Sequence, residues 1–285
     1  MFATLSRSWS LIKASASVLR SDSELLVFPL ISSVATLLVA ASFLLPLGLL
    51  GGEQGMAQEF GEEGMSVAMA IWMFAFYLCQ YFVIFFFNSA LVGAALIRLK
   101  GGDPTVGDGF RIAFSRIGAI FGYALIAATV GLLLRALQER AGWVGRWVAG
   151  LLGVAWTVAT FLAVPVLVAQ NVGPIDALKQ SAGLLRRTWG ENLVGNGGIG
   201  ILGGLLLFCV LLIGIGLAVF FGVQQMPTVA IGVGVMTVIV VLLLGLVQAA
   251  LTGIYSAALY RYASEGSAPD GFGEAQLGAA FRQKG

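Results

Sequence analysis

The chain contains no histidine, only two cysteines and very little charge. Histidine is the commonest general base and proton shuttle and a common metal ligand, so a zinc site, a haem site or histidine-based catalysis is not expected. The cysteines, Cys79 and Cys209, lie inside apolar runs, where a thiol usually behaves as a small hydrophobic group. Charged residues make up 11% of the chain, against about a quarter in soluble globular proteins. These deficits point away from a soluble enzyme.

Charge is absent from three long stretches of the sequence. No charged residue lies in the intervals Glu63–Arg98, Arg146–Asp176 or Glu191–Arg261, apart from the residues that bound them. A helix rises about 1.5 Å per residue and the hydrocarbon core is about 30 Å thick, so roughly 20 apolar residues span a bilayer once. The composition agrees, with 59% hydrophobic residues and a mean hydropathy of +0.95. The sequence therefore predicts an integral membrane protein.

Six membrane spans are predicted, separated by polar or glycine- and proline-rich breaks. They cover residues 25–49, 68–94, 117–137, 147–169, 193–222 and 229–259. The break between spans five and six is short, but Gln224, Gln225 and Pro227 suit a turn better than a membrane helix. The first apolar run is longer than the core of a cleavable signal peptide, so we expect it to remain in the mature chain.

Basic residues are distributed unevenly around these spans. Most of the 16 precede span one, lie between spans two and three or four and five, or follow span six. The segment Gly51–Met65 instead contains four glutamates, Glu53, Glu59, Glu62 and Glu63, and no base. Because short loops rich in lysine and arginine stay in the cytoplasm, both termini are predicted to be cytoplasmic, in a cell inner membrane.

Two classes of partner are not expected from the charge pattern. The glutamate spacing in the acidic segment does not match a calcium-binding loop, so we predict a solvated loop and no metal there. A net charge of +2, with no basic cluster among exposed aromatic residues, gives no reason to expect a nucleic-acid partner.

A short amphipathic helix is predicted before each of three helical hairpins, on the cytoplasmic side. Apolar residues recur at steps of three and four in residues 2–19, after Asp103 and Pro104, and from Pro174 onward. In the second helix, Asp103 is expected to be the cap, with Pro104 in the first turn. Helices of this kind lie in the membrane interface. The predicted fold class is therefore all-α, with six transmembrane helices in three hairpins, each preceded by an interfacial helix.

Two echoes in the sequence suggest that this unit is repeated. Arg7-Ser8-Trp9 resembles Arg187-Thr188-Trp189, and Ala94-Ala95-Leu96-Ile97-Arg98 resembles Ala257-Ala258-Leu259-Tyr260-Arg261. We interpret the chain as a single membrane domain with copies at residues 1–97, 98–170 and 171–262 and a tail at 263–285 that holds a vestigial interfacial segment. The alternative is that apolar hairpins resemble one another by chance.

One stretch resembles a known group of proteins. The run Val164-Pro165-Val166-Leu167-Val168-Ala169-Gln170-Asn171-Val172-Gly173-Pro174-Ile175-Asp176-Ala177-Leu178-Lys179-Gln180-Ser181 is similar to the signature of a loose group of six-helix bacterial and archaeal membrane families. The group includes the membrane domain fused to some glycerophosphoryl diester phosphodiesterases and several families of unknown function. The opening, from Ser6-Arg7-Ser8-Trp9-Ser10 to Leu25-Leu26-Val27-Phe28-Pro29-Leu30, is most similar to one of the latter. The resemblance implies an architecture and no activity, because no catalytic motif defines the group.

Three sets of residues are candidates for function or packing. The basic residues of the interfacial helices suit the headgroups of an anionic leaflet: Arg7, Lys13, Arg111, Arg116, Lys179, Arg186 and Arg187. Amides in the apolar runs could line a pore or pocket, although such amides more often hydrogen-bond between helices: Gln80, Asn88, Gln170, Asn171, Asn196 and Gln248. Gly200 and Gly204 have the spacing of close helix packing, within the chain or between protomers.

These patterns favour a non-enzymatic membrane protein that interacts with lipids or other membrane proteins, as a scaffold, in lipid homeostasis or as an accessory subunit. The alternative, based on the amides, is a passive channel or uncoupled transporter, including one formed by a homo-oligomer. An intramembrane enzyme is disfavoured because no nucleophile, base and orienting group can be assembled from the motifs. No cofactor is predicted. The expected partners are membrane lipids, a second copy of the chain or other membrane proteins.

Overall fold

The structure is a computed structural model that describes residues 2–59, 67–140, 142–189 and 198–266, and these residues contain helices and no strand. The helices are α1 (Phe2–Ser21), α2 (Val27–Glu59), α3 (Val67–Leu99), α4 (Val106–Ser115), α5 (Ile117–Arg140), α6 (Gly142–Thr160), α7 (Ala163–Gln170), α8 (Pro174–Trp189), α9 (Gly198–Val223) and α10 (Pro227–Glu265). A short 3₁₀ helix, Ser23–Leu26, joins α1 to α2.

Six helical segments are long and apolar enough to cross a membrane, which confirms the predicted all-α fold with six spans. They are Ser23–Pro46, Val67–Leu99, Ile117–Gln138, Gly145–Gln170, Gly203–Val223 and Pro227–Glu265. Helices α3 and α10 contain 33 and 39 residues. At about 1.5 Å per residue they are roughly 50 and 58 Å long. Each therefore extends well beyond a hydrocarbon core of about 30 Å.

The structure confirms the predicted break between spans five and six and corrects the one after span one. The turn between spans five and six is confirmed, since Gln225 has a φ of 58° and Pro227 is the first residue of α10. Helix α2 instead continues past Pro46 to Glu59, so Glu53 and Glu59 lie on a helix and not in a loop. One proline removes a single helical hydrogen bond, and the long apolar run on its N-terminal side maintains the helix. The rest of the predicted acidic loop, residues 60–66, and the tail beyond residue 266 lie outside the described residues.

The fourth span, predicted as one helix, is broken. Helix α6 ends at Thr160 and α7 begins at Ala163. Pro165 explains the position of the break, because proline has no backbone N–H and its ring conflicts with the carbonyl group four residues earlier, which belongs to Phe161. The first six residues of α7 are buried. A broken helix inside a membrane protein needs other partners for the backbone groups that the break releases.

The chain forms two compact units that interleave along the sequence. The first contains Met1–Pro29, Ala95–Asp103 and Arg187–Gly285, and the second contains Leu30–Ala94 and Pro104–Arg186. In the first unit, α1 packs against α9 and α10, which pair with each other. In the second, α5 pairs with α6 and contacts α4. The first interfacial helix thus contacts the last hairpin, which the linear order of three hairpins did not anticipate. The repeat itself stays a prediction.

The core of the first unit brings two of the sequence echoes together. Residues 95–96 and Leu99 are buried at the end of α3, and residues 253–260 are buried near the end of α10. Arg261 donates a hydrogen bond to the carbonyl oxygen of Leu99. This hydrogen bond joins the ends of α3 and α10, and the neighbouring Arg98 acts electrostatically on Asp22 at the end of α1.

Candidate functional site

Helix α4 is fixed at its start by reciprocal hydrogen bonds. The backbone N–H of Asp108 donates to Oγ1 of Thr105 (3.2 Å), and the backbone N–H of Thr105 donates to Oδ2 of Asp108 (3.1 Å). This is a capping box, with Thr105 as the N-cap. The prediction that Asp103 caps this helix was wrong, because the threonine and the acid three residues later satisfy two backbone donors together.

The charge on Asp108 is set by the same contacts. Hydrogen bonds from the hydroxyl and backbone N–H of Thr105 hold the pKa of Asp108 below its ordinary value, and nearby Arg111 contributes in the same direction. The Arg111 Nη1 atom lies 3.2 Å from Oδ1 of Asp108, yet 82% of the Arg111 side chain is exposed. Arg111 therefore remains accessible to an external anion.

One face of α4 packs against α3, and the other is exposed. Ala113 is buried, and a Cβ atom placed on Gly93 of α3 would lie 2.9 Å from Cγ2 of Ile112, so glycine permits this approach. On the other side, Phe114 is 59% exposed, although its ring also contacts Phe86, with ring centroids 5.0 Å apart. The exposed face of α4 thus combines a phenyl ring with the guanidinium of Arg111 three residues earlier.

Helix α8 is attached to α5 at its first residue. A Cβ atom on Gly122 of α5 would lie 2.9 Å from Cγ of Pro174, so the proline packs into the space that the glycine leaves. Ala177 and Leu185 form the buried side of α8. Ile175 on the opposite side is 58% exposed, and Lys179, one turn later, is also exposed. This repeats the arrangement of α4, in which an exposed base is next to an exposed apolar side chain.

Ser181 connects α8 to the broken fourth span. Its hydroxyl donates to the carbonyl oxygen of Ala159 (2.7 Å) and accepts from the backbone N–H of Leu162 (3.1 Å). The residue is 0% exposed. One side chain therefore satisfies two backbone groups that the break releases, and it fixes α8 against the span. Sequence analysis did not identify Ser181; the available signal was a proline inside a span, followed by a serine on an amphipathic helix.

We call Arg111 and Phe114 of α4, with Ile175, Lys179 and Arg186 of α8, the basic-apolar surface. All five side chains are exposed, and all lie in the second unit. Helices with exposed bases beside exposed apolar groups are suited to the boundary between headgroups and acyl chains. Four of the seven predicted headgroup residues are exposed on α1, α4 and α8: Lys13, Arg111, Lys179 and Arg186.

The other three basic candidates differ. Arg116 lies at the junction of α4 and α5, is half-buried, and has an Nε atom with no hydrogen-bond partner. Arg7 and Arg187 lie on α1 and α8, but their side chains are outside the described parts of the structure.

The predicted pore residues have separate roles where the structure describes them. The Nε2 atom of Gln80 donates to the carbonyl oxygen of Thr36 (3.2 Å) and joins α3 to α2, while Oε1 of Gln80 is buried and unpartnered. Asn88 is half-buried on α3, and Gln248 on α10 lies against Gly203. These separate contacts do not support the prediction that the amides line a common pore, and it stays a prediction.

Three further amides lie at helix ends or beyond the described residues. Gln170 and Asn171 are exposed at the end of α7. Asn171 has a φ of 50°, the left-handed conformation that commonly ends helices, so it has a structural role as a C-cap. Asn196 lies outside the described ranges.

The predicted glycine pair, Gly200 and Gly204, makes no close contact with the residues that the structure describes. A Cβ atom on Gly200 or Gly204 would meet no atom within 4 Å, whereas one on Gly203 or Gly214 would collide with Gln248 or Thr237. The close approach of α9 and α10 is therefore made by Gly203 and Gly214. Packing of Gly200 and Gly204 against a second protomer stays a prediction.

The model of a family of unknown function, DUF6159, matches residues 67–271. The chain belongs to this family. The DUF6159 match includes α4, α8 and the broken fourth span, but not the opening that carried part of the resemblance described above. No curated protein and no solved structure matches the chain. The relation to the membrane domain of glycerophosphoryl diester phosphodiesterases gains no support and stays a prediction.

Proposed function

We propose that this DUF6159 protein is a non-enzymatic, multi-pass membrane protein that binds anionic lipid headgroups through its interfacial helices. The observation that carries the proposal is the basic-apolar surface, in which α4 and α8 present the same pairing of exposed bases and apolar side chains. The apolar groups would enter the acyl boundary while the bases contact phosphate. Such binding fits a scaffold, a role in lipid homeostasis or an accessory subunit.

The expected orientation follows from the charge of membranes. Anionic lipids of the cytoplasmic leaflet attract basic segments by about 1 kcal/mol for each lysine or arginine near the surface. With α4 and α8 on the cytoplasmic side, both termini are also cytoplasmic, and the protein lies in the inner membrane. Arg111 and Lys179 are the residues that we expect to contribute most, because each is exposed beside an exposed apolar side chain.

Lipid-dependent stabilisation tests the proposal. The purified protein in mild detergent is titrated with phosphatidylglycerol or phosphatidylcholine, and the midpoint of thermal unfolding reports the apparent affinity, since a ligand of the native state stabilises it. We expect phosphatidylglycerol to stabilise more strongly. The double variant Arg111→Gln/Lys179→Gln should lose about 2 kcal/mol of this binding, roughly 30-fold in affinity.

The control is a double variant with the same loss of charge elsewhere. Lys100 and Arg146 are exposed but lie on neither α4 nor α8. Lys100→Gln/Arg146→Gln should retain the preference for phosphatidylglycerol. An equal loss of phosphatidylglycerol affinity in both double variants would show a general effect of charge. It would overturn the assignment of lipid binding to the basic-apolar surface.

A further inference from the structure

Asp22 is a buried carboxylate at the end of α1. It is 7% exposed, and its Oδ2 atom has no hydrogen-bond partner. Ser15, two turns earlier on α1, is 0% exposed, and its hydroxyl is also unpartnered. Both α1 and the adjoining 3₁₀ helix pack against α10. Because unpaired buried polar groups cost free energy, this packing is weaker than its apolar contacts alone would make it.

Arg98, the cation that acts on Asp22, is already engaged. Its Nη1 atom donates to Oδ1 of Asp103 (3.1 Å) and to the carbonyl oxygen of Gly102 (3.4 Å), not to Asp22. Asp103 is the more exposed acid, with 95% of its side chain accessible. Arg98 therefore lies within electrostatic range of two carboxylates and is hydrogen-bonded to the exposed one.

Within the described residues, α9 and α10 add no unpaired cation next to Asp22. From α10, Tyr255 and Tyr260 are buried, and Arg261 is bound to Leu99 and to Glu265 (2.8 Å). The described part of α9 has no charged residue. Near Asp22 itself, Glu24 adds a second negative charge.

These surroundings set the direction of the pH dependence. Burial raises the pKa of Asp22; the charge of Arg98 opposes this, the charges of Glu24 and Asp103 add to it, and a hydrogen bond from the backbone N–H of Glu24 lowers the pKa slightly. A carboxyl group whose pKa is raised in the packed state favours packing while it is protonated. That contribution is complete below the ordinary carboxyl pKa and is lost as the pH rises through the raised value.

We propose that the packing of α1 against α10 is a proton-dependent contact, in which α1 is held while Asp22 is protonated and is released when Asp22 ionises. Arg98 limits the release, because it can leave Asp103 and pair with the ionised Asp22. Released α1 would be an amphipathic helix with exposed Lys13 and Arg20, suited to the membrane interface. The contact does not depend on the proposed headgroup binding.

A distance measurement tests this contact. The full chain, with Cys79→Ala and Cys209→Ala, carries spin labels at Ser17→Cys and Ser264→Cys, two exposed positions on α1 and α10. Pulsed electron paramagnetic resonance gives the distribution of distances between the two labels in phosphatidylcholine nanodiscs. The pH is varied from about 4 to about 9, a range that covers the titration of carboxyl groups. We expect one population in acid and a second, longer distance that increases with pH. Between the two pH limits, the ratio of the long-distance to the short-distance population changes about tenfold for each unit by which the pKa of Asp22 differs between the packed and the released state.

Three variants make the outcome decisive. Asp22→Asn keeps the side-chain volume and should retain the short distance at every pH. Asp103→Asn frees Arg98 and removes a repelling charge, so it should reduce the release at high pH, and as an exposed position it gives a second reading even where Asp22→Asn fails to fold. Asp176→Asn, an exposed acid on α8, should behave as the parent. A pH-independent parent distance, or a release unchanged by Asp22→Asn or Asp103→Asn, would overturn the proposal.

Discussion

The hairpin α9–α10 and the hairpin formed by α5 with α6 are held together in different ways. In α9–α10, two uninterrupted helices meet where Gly203 and Gly214 leave space for Gln248 and Thr237. In the other hairpin, the buried Tyr123 of α5 places its hydroxyl beside that of Thr160 of α6. The first association depends on the absence of side chains, and the second on polar side chains in defined positions.

This difference shows where the chain constrains its geometry. Glycine contacts permit close van der Waals packing but need no particular external partner. A broken span has released backbone groups that must be satisfied, and here Ser181 of an interfacial helix satisfies them. The position of α8, and with it Lys179 and Arg186, is therefore coupled to the break. The proposed headgroup binding is therefore more closely tied to the hairpin with polar contacts than to the hairpin with glycine contacts.

Loss of the Ser181 hydroxyl should have the largest effect. Ser181→Ala leaves the Leu162 N–H and the Ala159 carbonyl unsatisfied in a buried position, at a cost of about 1–3 kcal/mol for each group. Reversible unfolding in mixed micelles of increasing sodium dodecyl sulfate content measures this loss. Ser115→Ala is the control, because the exposed Ser115 bonds only to the carbonyl of Ile112 on its own helix. Equal stability of the two variants would show that the break is satisfied by other groups.

A methyl group on Gly214 should be the next largest disturbance. Gly214→Ala places Cβ against the side chain of Thr237, and overpacking of this kind costs about 1–3 kcal/mol. Gly216→Ala is the matched control on the same helix, since its Cβ would meet nothing within 4 Å. The same unfolding titration compares the two.

Relief of the collision sharpens this test. Thr237→Ala removes the two side-chain atoms nearest to the added methyl group, so the double variant should recover part of the stability lost in Gly214→Ala. Equal stability of Gly214→Ala and Gly216→Ala would mean that α9 and α10 can separate without cost, and the contrast between the hairpins would then be lost.

The spans could be predicted from sequence because bilayer thickness sets the length of an apolar helix. The turn at Gln225 and Pro227 and the start of α8 at Pro174 were also predictable, since proline restricts the backbone locally. The choice of Gly203 over Gly200 as a contact residue could not be predicted. Helix α9 is apolar on all sides, so its sequence contains no periodic signal for the face that meets α10.

The candidate site was only partly predictable for a similar reason. The bases of α4 and α8 are visible in the sequence as exposed positions of amphipathic helices. Ser181 was not visible, because its partners, Ala159 and Leu162, are backbone groups released by a break whose depth depends on packing. The contact of α1 with α10 joins elements that are distant in sequence, and local periodicity contains no information about such pairs.

The smallest predicted effect concerns the neighbouring hydroxyl groups of Tyr123 and Thr160. Interhelical hydrogen bonds in membranes contribute about 0.6 kcal/mol on average, partly because the unfolded helices find other partners in the membrane. A double-mutant cycle of Tyr123→Phe and Thr160→Val separates this coupling from the other effects of each change, such as loss of the Thr160 bond to Trp156. We expect a coupling energy near that average. A value of zero would mean that the two hydroxyl groups contribute nothing to the association of α5 with α6, and the contrast with α9 and α10 would then depend on Ser181 and the break.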